Sequence, residues 1–188
     1  MSNFLPPCAG YDGRHLTGNT VEKAVKTIKD VRDIFSDTAS GRQMPDEQVV
    51  YEVESYHPVP QGTQGGLFFG ITFIHPGTVG NEYFMTRGHF HKLSDRAEYY
   101  WCMEGEGMLI LMDQQRNTRA ERMYPGSLHY IHAGMAHRTA NTGNGLLSFG
   151  ACWPADAGYD YDRISRDGFS KILINDNGSP VLIDRPAV

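Results

Sequence analysis

The chain has 188 residues, 40% apolar and 21% charged, with a formal net charge of −5. That balance fits one globular domain with its own core and excludes a disordered chain. No run of ~18 apolar residues marks a membrane span, and the start, Met1-Ser2-Asn3-Phe4-Leu5-Pro6-Pro7, lacks the pattern of a secretory signal. An acidic chain without a Lys/Arg stripe argues against nucleic acid and membrane partners. Cys8, Cys102 and Cys152 show no CxxC pattern and read as free thiols of a reducing, cytoplasmic compartment.

In chain order, the first predicted element is a helix. Asn19 serves as its cap with Glu22 three residues on, and Val21, Val25, Ile28 and Phe35 recur near the helical period, opposite Lys23, Lys26, Lys29 and Arg32. From about residue 48 the pattern turns to short β-branched and aromatic runs. These predict strands over Val49–Tyr56, Leu67–Ile74, Glu82–Thr86, Glu98–Met103, Met108–Met112, Arg119–Tyr124, Leu128–Ile131, His137–Asn141, Leu146–Trp153 and Lys171–Asn175. Turn signals separate them: Pro-Gly at 76–77 and 125–126, Gly105-Glu106-Gly107, Gly143-Asn144-Gly145 and Asn177-Gly178. Such a series describes an antiparallel sandwich or barrel rather than βαβ units. The expectation is one all-β domain over 1–188, with a helical arm over about 1–47 and a barrel over about 48–188.

His89-Phe90-His91 places two imidazoles on one face of a strand. Glu98 follows on the paired or next strand, and His137 lies further on. Together they satisfy the two cupin signatures. His89, His91, Glu98 and Gly105 fit H-x-H, a short gap, E, six residues, G. Gly126, Gly134, His137 and Asn141 fit the second signature, with His132 where its proline stands. The cupin fold this implies is a double-stranded β-helix, or jelly-roll. Three imidazoles and a carboxylate suit Fe²⁺, Mn²⁺, Ni²⁺, Co²⁺ or Zn²⁺, and the lack of thiolates argues against a closed structural zinc site.

A finer resemblance lies in Pro76-Gly77-Thr78-Val79-Gly80, Thr86-Arg87-Gly88-His89-Phe90-His91, Asp95-Arg96-Ala97-Glu98, Ala136-His137-Arg138-Thr139-Ala140-Asn141 and Pro154-Ala155-Asp156-Ala157-Gly158. With the six-residue gap between His91 and Glu98, these segments resemble the cupin-type (archaeal-type) phosphoglucose isomerases, from about Val49 to Ile174. The resemblance implies a cytoplasmic homodimer that interconverts glucose 6-phosphate and fructose 6-phosphate in glycolysis and gluconeogenesis, with one divalent metal, foremost Fe²⁺, per subunit. Its metal ligands are implied to be His89, His91, Glu98 and His137. Its substrate-binding residues are implied to be Tyr51, Thr72, Thr86, Gly88, Tyr100 and Tyr161, with Tyr159 standing where the family typically has a histidine.

The reaction moves hydrogen between C1 and C2, through a cis-enediol with a general base or by a hydride shift. Glu98 is the candidate base and Tyr100, two residues on, a candidate phenol donor or a barrel-filling aromatic. With no P-loop lysine, phosphate falls to hydroxyls and backbone N–H groups. Arg87 and Arg138 read equally as phosphate ligands or as solvated or interface charges. Trp101, Cys102 and Cys152 read as core, His75 as a turn residue, and Asn141 as a backbone partner. Two other functions share the signatures. A non-haem iron cupin oxygenase would consume oxygen, and a non-catalytic sugar-phosphate-binding cupin would bind without turnover.

Overall fold

The pattern that predicts strands from Val49 onward produces them at close to the expected bounds, except that of Glu82–Thr86 only Glu82–Tyr83 is strand. The computed structural model describes residues 4–186, so Met1–Asn3 and the last two residues of the expected domain lie outside the described residues. An N-terminal hairpin of β1 (Ala9–Tyr11) and β2 (Leu16–Gly18) leads into β3 (Val21–Thr27), α1 (Ile28–Val31), a 3₁₀ turn (Arg32–Ile34) and α2 (Thr38–Gln43). Next come β4 (Val49–Tyr56), β5 (Leu67–Ile74), β6 (Thr78–Val79), β7 (Glu82–Tyr83), β8 (Phe90–His91), β9 (Glu98–Glu104) and β10 (Gly107–Met112). The chain continues through β11 (Thr118–Met123), β12 (Leu128–Ile131), β13 (Ala136–Asn141), β14 (Leu147–Pro154) and β15 (Tyr159–Asp160). It closes with α3 (Asp162–Asp167), β16 (Lys171–Asp176) and β17 (Ser179–Asp184).

The predicted helix is corrected: Val21–Thr27 is an edge strand, antiparallel to β4 with Val21 opposite Tyr56. Helical structure starts only at Ile28, capped by Thr27 and Asp30 rather than by Asn19 and Glu22. The arm is therefore mainly strand, with short helical turns. Its anchor is Glu54, which is buried and accepts hydrogen bonds from Lys23 Nζ at 2.7 Å and the Leu16 amide at 2.7 Å.

The large sheet runs β12-β9-β14-β5-β4-β3 and a smaller one β11-β10-β13. All pairings are antiparallel, and β14 lies between β5 and β9 although it follows both in the chain. That is Greek-key connectivity, and the result is a cupin jelly-roll barrel. The core fills the space between the sheets, with Ile74, Leu109, Leu111 and Phe149 each at most 1% exposed. Outside, the predicted core residue Trp101 is 49% exposed. Strand alternation explains the correction: Glu98, Tyr100 and Cys102 of β9 point inward, so Tyr99 and Trp101 point outward.

Candidate metal centre and active-site cavity

The inner face of the large sheet forms the floor of the site. Its register aligns Ser55, Gly70, Ala151 and Tyr100 across β4, β5, β14 and β9, beside a second row of Val53, Thr72 and Phe149. These rows line a cavity of about 210 Å³.

Segment 85–89, at the edge of the small sheet, carries the first histidine. Met85 bridges to Ala140 and His89 to His137, with His89 and His137 exchanging backbone hydrogen bonds of 3.1 and 3.2 Å. This close approach needs Gly88. Its φ is +77°, and a Cβ there would lie 2.9 Å from Arg138 Cβ and 3.0 Å from the His137 carbonyl. His89 is thereby set edge-on to His137, with ring centroids 4.4 Å apart.

The ligand atoms of His89, His91 and His137 all lie within 4.8 Å of one another, a group that could hold a metal ion. Glu98 adjoins it from β9, with Oε1 2.6 Å from His137 Nε2 and Oε2 3.7 Å from His91 Nε2. All three of His91 Nε2, His137 Nε2 and Glu98 Oε1 are buried without a hydrogen-bond partner. The 2.6 Å approach is therefore a proximity of acceptors rather than an aligned hydrogen bond. Buried polar atoms left open are rare, and a borderline divalent cation fits this donor set.

The other ring nitrogens explain why these face inward. His91 Nδ1 is 2.9 Å from the Arg96 carbonyl and His137 Nδ1 is 3.3 Å from that of Met135. A proton shared there leaves each Nε2 lone pair toward the cavity. The six-residue gap before Glu98 has a use in this arrangement. Arg96 is clamped by Asp156 through two hydrogen bonds of 2.8 Å, and the Leu93 amide donates to the Ala157 carbonyl at 3.0 Å. The loop that orients His91 is thus tied to the Pro154–Gly158 segment.

Electrostatics follow from burial. Desolvation would raise the Glu98 carboxyl, but the neighbouring imidazoles, His137 foremost and then His91, prevail and hold it well below the usual range. Burial pushes the His89 imidazole well down, which keeps it neutral. Burial also raises Tyr100 well above its ordinary value, and Tyr51 and Tyr159 each to about 12. These phenols stay protonated near neutral pH, so each keeps an O–H available to donate.

Of the predicted residues, Tyr51, Thr72, Thr86, Gly88, His89, Glu98, Tyr100, His137, Tyr159 and Tyr161 all line the cavity. His91 adjoins Glu98, with Nε2 3.7 Å from Oε2. Tyr159 packs 4.7 Å from the His89 ring and stacks on Tyr161 at 5.7 Å. Sequence reasoning missed Ser55, His57 and Trp153 on the same wall; the parity of Tyr51 on β4, carried forward, would have found the first two.

Arg87 borders the cavity but is held by Asp33 through bonds of 2.6 and 2.7 Å. Arg138 is 3% exposed, which rules out a solvated charge. His132 is exposed and packs against Tyr130, away from the cavity, with ring centroids 4.6 Å apart. Asn141 is a backbone partner, donating to the Ile74 and Gly145 carbonyls at 2.8 Å.

Residues 25–185 match the family model for glucose-6-phosphate isomerase (GPI). The glucose-6-phosphate isomerase of Thermococcus litoralis is 41% identical over 167 residues, 88% of this chain and 87% of that protein. That of Pyrococcus horikoshii is 40% identical over the same shares. A putative glucose-6-phosphate isomerase 1 of Rhizobium meliloti is 36% identical over 81% of this chain and 72% of that protein. Among solved structures, Bacillus subtilis oxalate decarboxylase superimposes on 63% of this chain and 29% of its own at 18% identity, TM-score 0.47. With its signature residues gathered on one cavity and these relatives matching nearly its whole length, the chain belongs to the glucose-6-phosphate isomerase family.

Proposed function

We propose that the chain interconverts glucose 6-phosphate and fructose 6-phosphate in this cavity, as one cupin domain holding one divalent cation, Fe²⁺ foremost. The observation that carries the proposal is the set of buried, unpartnered donor atoms on His91, His137 and Glu98 beside a cavity lined by phenols and threonine hydroxyls, in a chain of this family. His89, His91, His137 and Glu98 would hold the ion. Such an ion supplies positive charge beside the sugar oxygens as they gain negative charge.

The chain's own groups do the rest. Thr72 and Thr86 hydroxyls and the Gly88 N–H bind phosphate oxygens. Tyr51, Tyr100 and Tyr161 donate to sugar oxygens. Tyr159, held protonated, positions the sugar and does not shuttle protons at neutral pH. Glu98 takes the C2 proton of open-chain glucose 6-phosphate and returns it to C1, while across the cis-enediol O1 gains a proton and O2 loses one, so that the O2 proton is in effect moved to O1. One observation favours a second route: His137 and His91 make Glu98 a weak base. In that route the C2 hydrogen passes to C1 with its electron pair as the O2 proton moves to O1. Deuterium from solvent enters C1 only by the first route.

The active form we propose is a cytoplasmic homodimer. Phe69, Tyr99, Trp101, Leu128 and Tyr130 are 37–66% exposed on the outer face of the large sheet, an apolar patch that a second copy would cover. Trp101→Glu is expected to halve the mass seen by light scattering; an unchanged mass contradicts this interface. For the reaction itself, metal-loaded protein is given fructose 6-phosphate in a coupled assay with oxygen monitored. Glucose 6-phosphate forming without oxygen uptake is expected. Oxygen consumption, or binding without turnover, overturns the proposal in favour of an oxygenase or a binding protein.

A further inference from the structure

A second cavity, of about 470 Å³, is lined by residues of the arm, β13, the α3 segment and the C-terminal end. Arg138 follows His137 on β13, so strand alternation turns it away from the imidazoles and into this second space. Five arginines line it (Arg87, Arg116, Arg138, Arg166 and Arg185) against the carboxylates of Asp33 and Asp167.

Three of the five have acidic or carbonyl partners. Arg87 holds Asp33, Arg116 Nη2 donates to the Asp167 carbonyl at 3.1 Å, and Arg166 Nε lies 3.7 Å from Asp167 Oδ2. Arg138 and Arg185 have no carboxylate within 4.0 Å among the described residues. Arg138 is 3% exposed and lies 4.0 Å over the Phe169 ring. Its Nη1 reaches only Met85 Sδ, at 3.1 Å, and its Nε is buried without a partner. The Nη1 of Arg185 is likewise buried without a partner. At Gly168 a Cβ would lie 2.8 Å from that Nη1, so the missing side chain is what admits the guanidinium. Glu82 is the nearby buried carboxylate; its Oε1 accepts from the Ser36 and Asp37 amides, its Oε2 is unpartnered, and it attracts Arg138 and Arg185 only at longer range.

A buried guanidinium beside a second, half-buried one, neither with a carboxylate partner, is costly, and a dianionic group lodged between them offsets that cost. Their planar forks match phosphate oxygens. The volume exceeds what a bare phosphate fills and lies within the range of small-molecule pockets, roughly 300–1,000 Å³. We propose that this cavity binds the phosphate group of a small molecule, as a second ligand site separate from the metal cavity. Arg87 borders both cavities, and the α3 segment spans them: Tyr159 and Tyr161 line one, Ile164 to Gly168 the other. Occupancy of the second site therefore bears on the tyrosines of the first. That coupling, unlike the binding, rests on the isomerase reading.

Calorimetric titration of the metal-loaded full chain with inorganic phosphate, and separately with glycerol 3-phosphate, tests the site. The expected isotherm has a component that Arg185→Gln weakens at least tenfold and Thr72→Val leaves unchanged, with turnover in Arg185→Gln kept within twofold. Equal affinity for the two probes assigns the site to a bare phosphate group, and tighter glycerol 3-phosphate assigns it to a phosphate ester. Phosphate binding that is indifferent to Arg185→Gln, in protein of unchanged melting temperature, overturns the proposal. Arg138→Gln repeats the test at the deeper guanidinium, and Arg185→Gln alone decides if that variant does not fold. A failed isomerase assay would leave the Arg185-dependent component intact, so the two proposals fail separately.

Discussion

Two buried histidine–carboxylate groups sit on this barrel, and they are built in opposite ways. At the β12 edge of the large sheet, His129 is closed at both nitrogens: Nε2 is 2.9 Å from Ser127 Oγ and Nδ1 is 3.0 Å from Glu121 Oε2. Ser127 Oγ also accepts from the Tyr124 amide at 3.1 Å, which fastens the Pro125-Gly126 turn. Nothing in that chain is left open. In the candidate metal centre, His91 and His137 are tied at Nδ1 but end in bare Nε2 atoms facing Glu98. Both groups satisfy a pattern of imidazole beside carboxylate; only one is incomplete without a ligand. The difference teaches that function here is marked by unmet hydrogen-bonding capacity rather than by residue type.

Substitutions can break that comparison. The largest effect is expected at Glu98→Gln, which keeps the shape and removes the base and a metal donor. Turnover should fall by ~10³ or more, within the usual range for a lost general base. Wild-type turnover would take Glu98 out of the chemistry. His137→Ala follows, with metal affinity lower by at least ~100-fold, since even supporting residues around a metal cost 10–100-fold. Full metal content in that variant, measured by elemental analysis after dialysis, would show the ligand set to be wrong.

His129→Leu should act in the opposite sense. Isomerase activity is expected to persist, while stability drops by about 1–3 kcal/mol because Ser127 and Glu121 lose their partner. Lost activity at unchanged stability, read from melting and coupled assays together, would erase the distinction between the two groups.

How much was legible beforehand follows the same physics. Strands β4, β5 and β12 were readable to the residue because β12 alternates plainly in burial and β4 and β5 are runs of β-branched and aromatic residues bounded by turn signals. Strand β3 was not: its residues 22–26 are exposed on both faces, so no period-2 burial marks it. There, Val21, Val25 and Ile28 fall at helical spacing, while pairing with β4 decides the structure. Strand β17 was missed for a related reason. It is an edge strand beginning Ser179-Pro180, mostly exposed, and only the Asn177-Gly178 turn announces it. The candidate metal ligands were legible because they come in fixed-spacing motifs, whereas most of the candidate substrate residues, Tyr51, Thr72, Tyr100 and Tyr161 among them, were legible only through the family resemblance. The second cavity was not, since Arg138 and Arg185 are brought together only by the fold.

The smallest predicted effect concerns the misread arm. Burial opposes ionisation of Glu54, but Lys23, the Leu16 amide and His15 outweigh it and lower its pKa below the ordinary 4.5. Its folded value lies under its unfolded value, so its stabilisation is present above about pH 4.5 and fades as pH falls through the folded value. Glu54→Gln should lower the melting temperature at pH 7 and flatten its acid dependence below that point. An unchanged acid slope would count against the anchor.

The most direct test of the central claim is a titration of metal-stripped protein with Fe²⁺ under anaerobic conditions, following isomerase activity and bound metal together. Activity absent at the start, rising in proportion to bound ion and levelling at one ion per chain, is the result expected, with His137→Ala remaining inactive and His129→Leu tracing the wild-type curve. Full activity in the stripped protein, or an inactive protein carrying one ion per chain, would contradict the account.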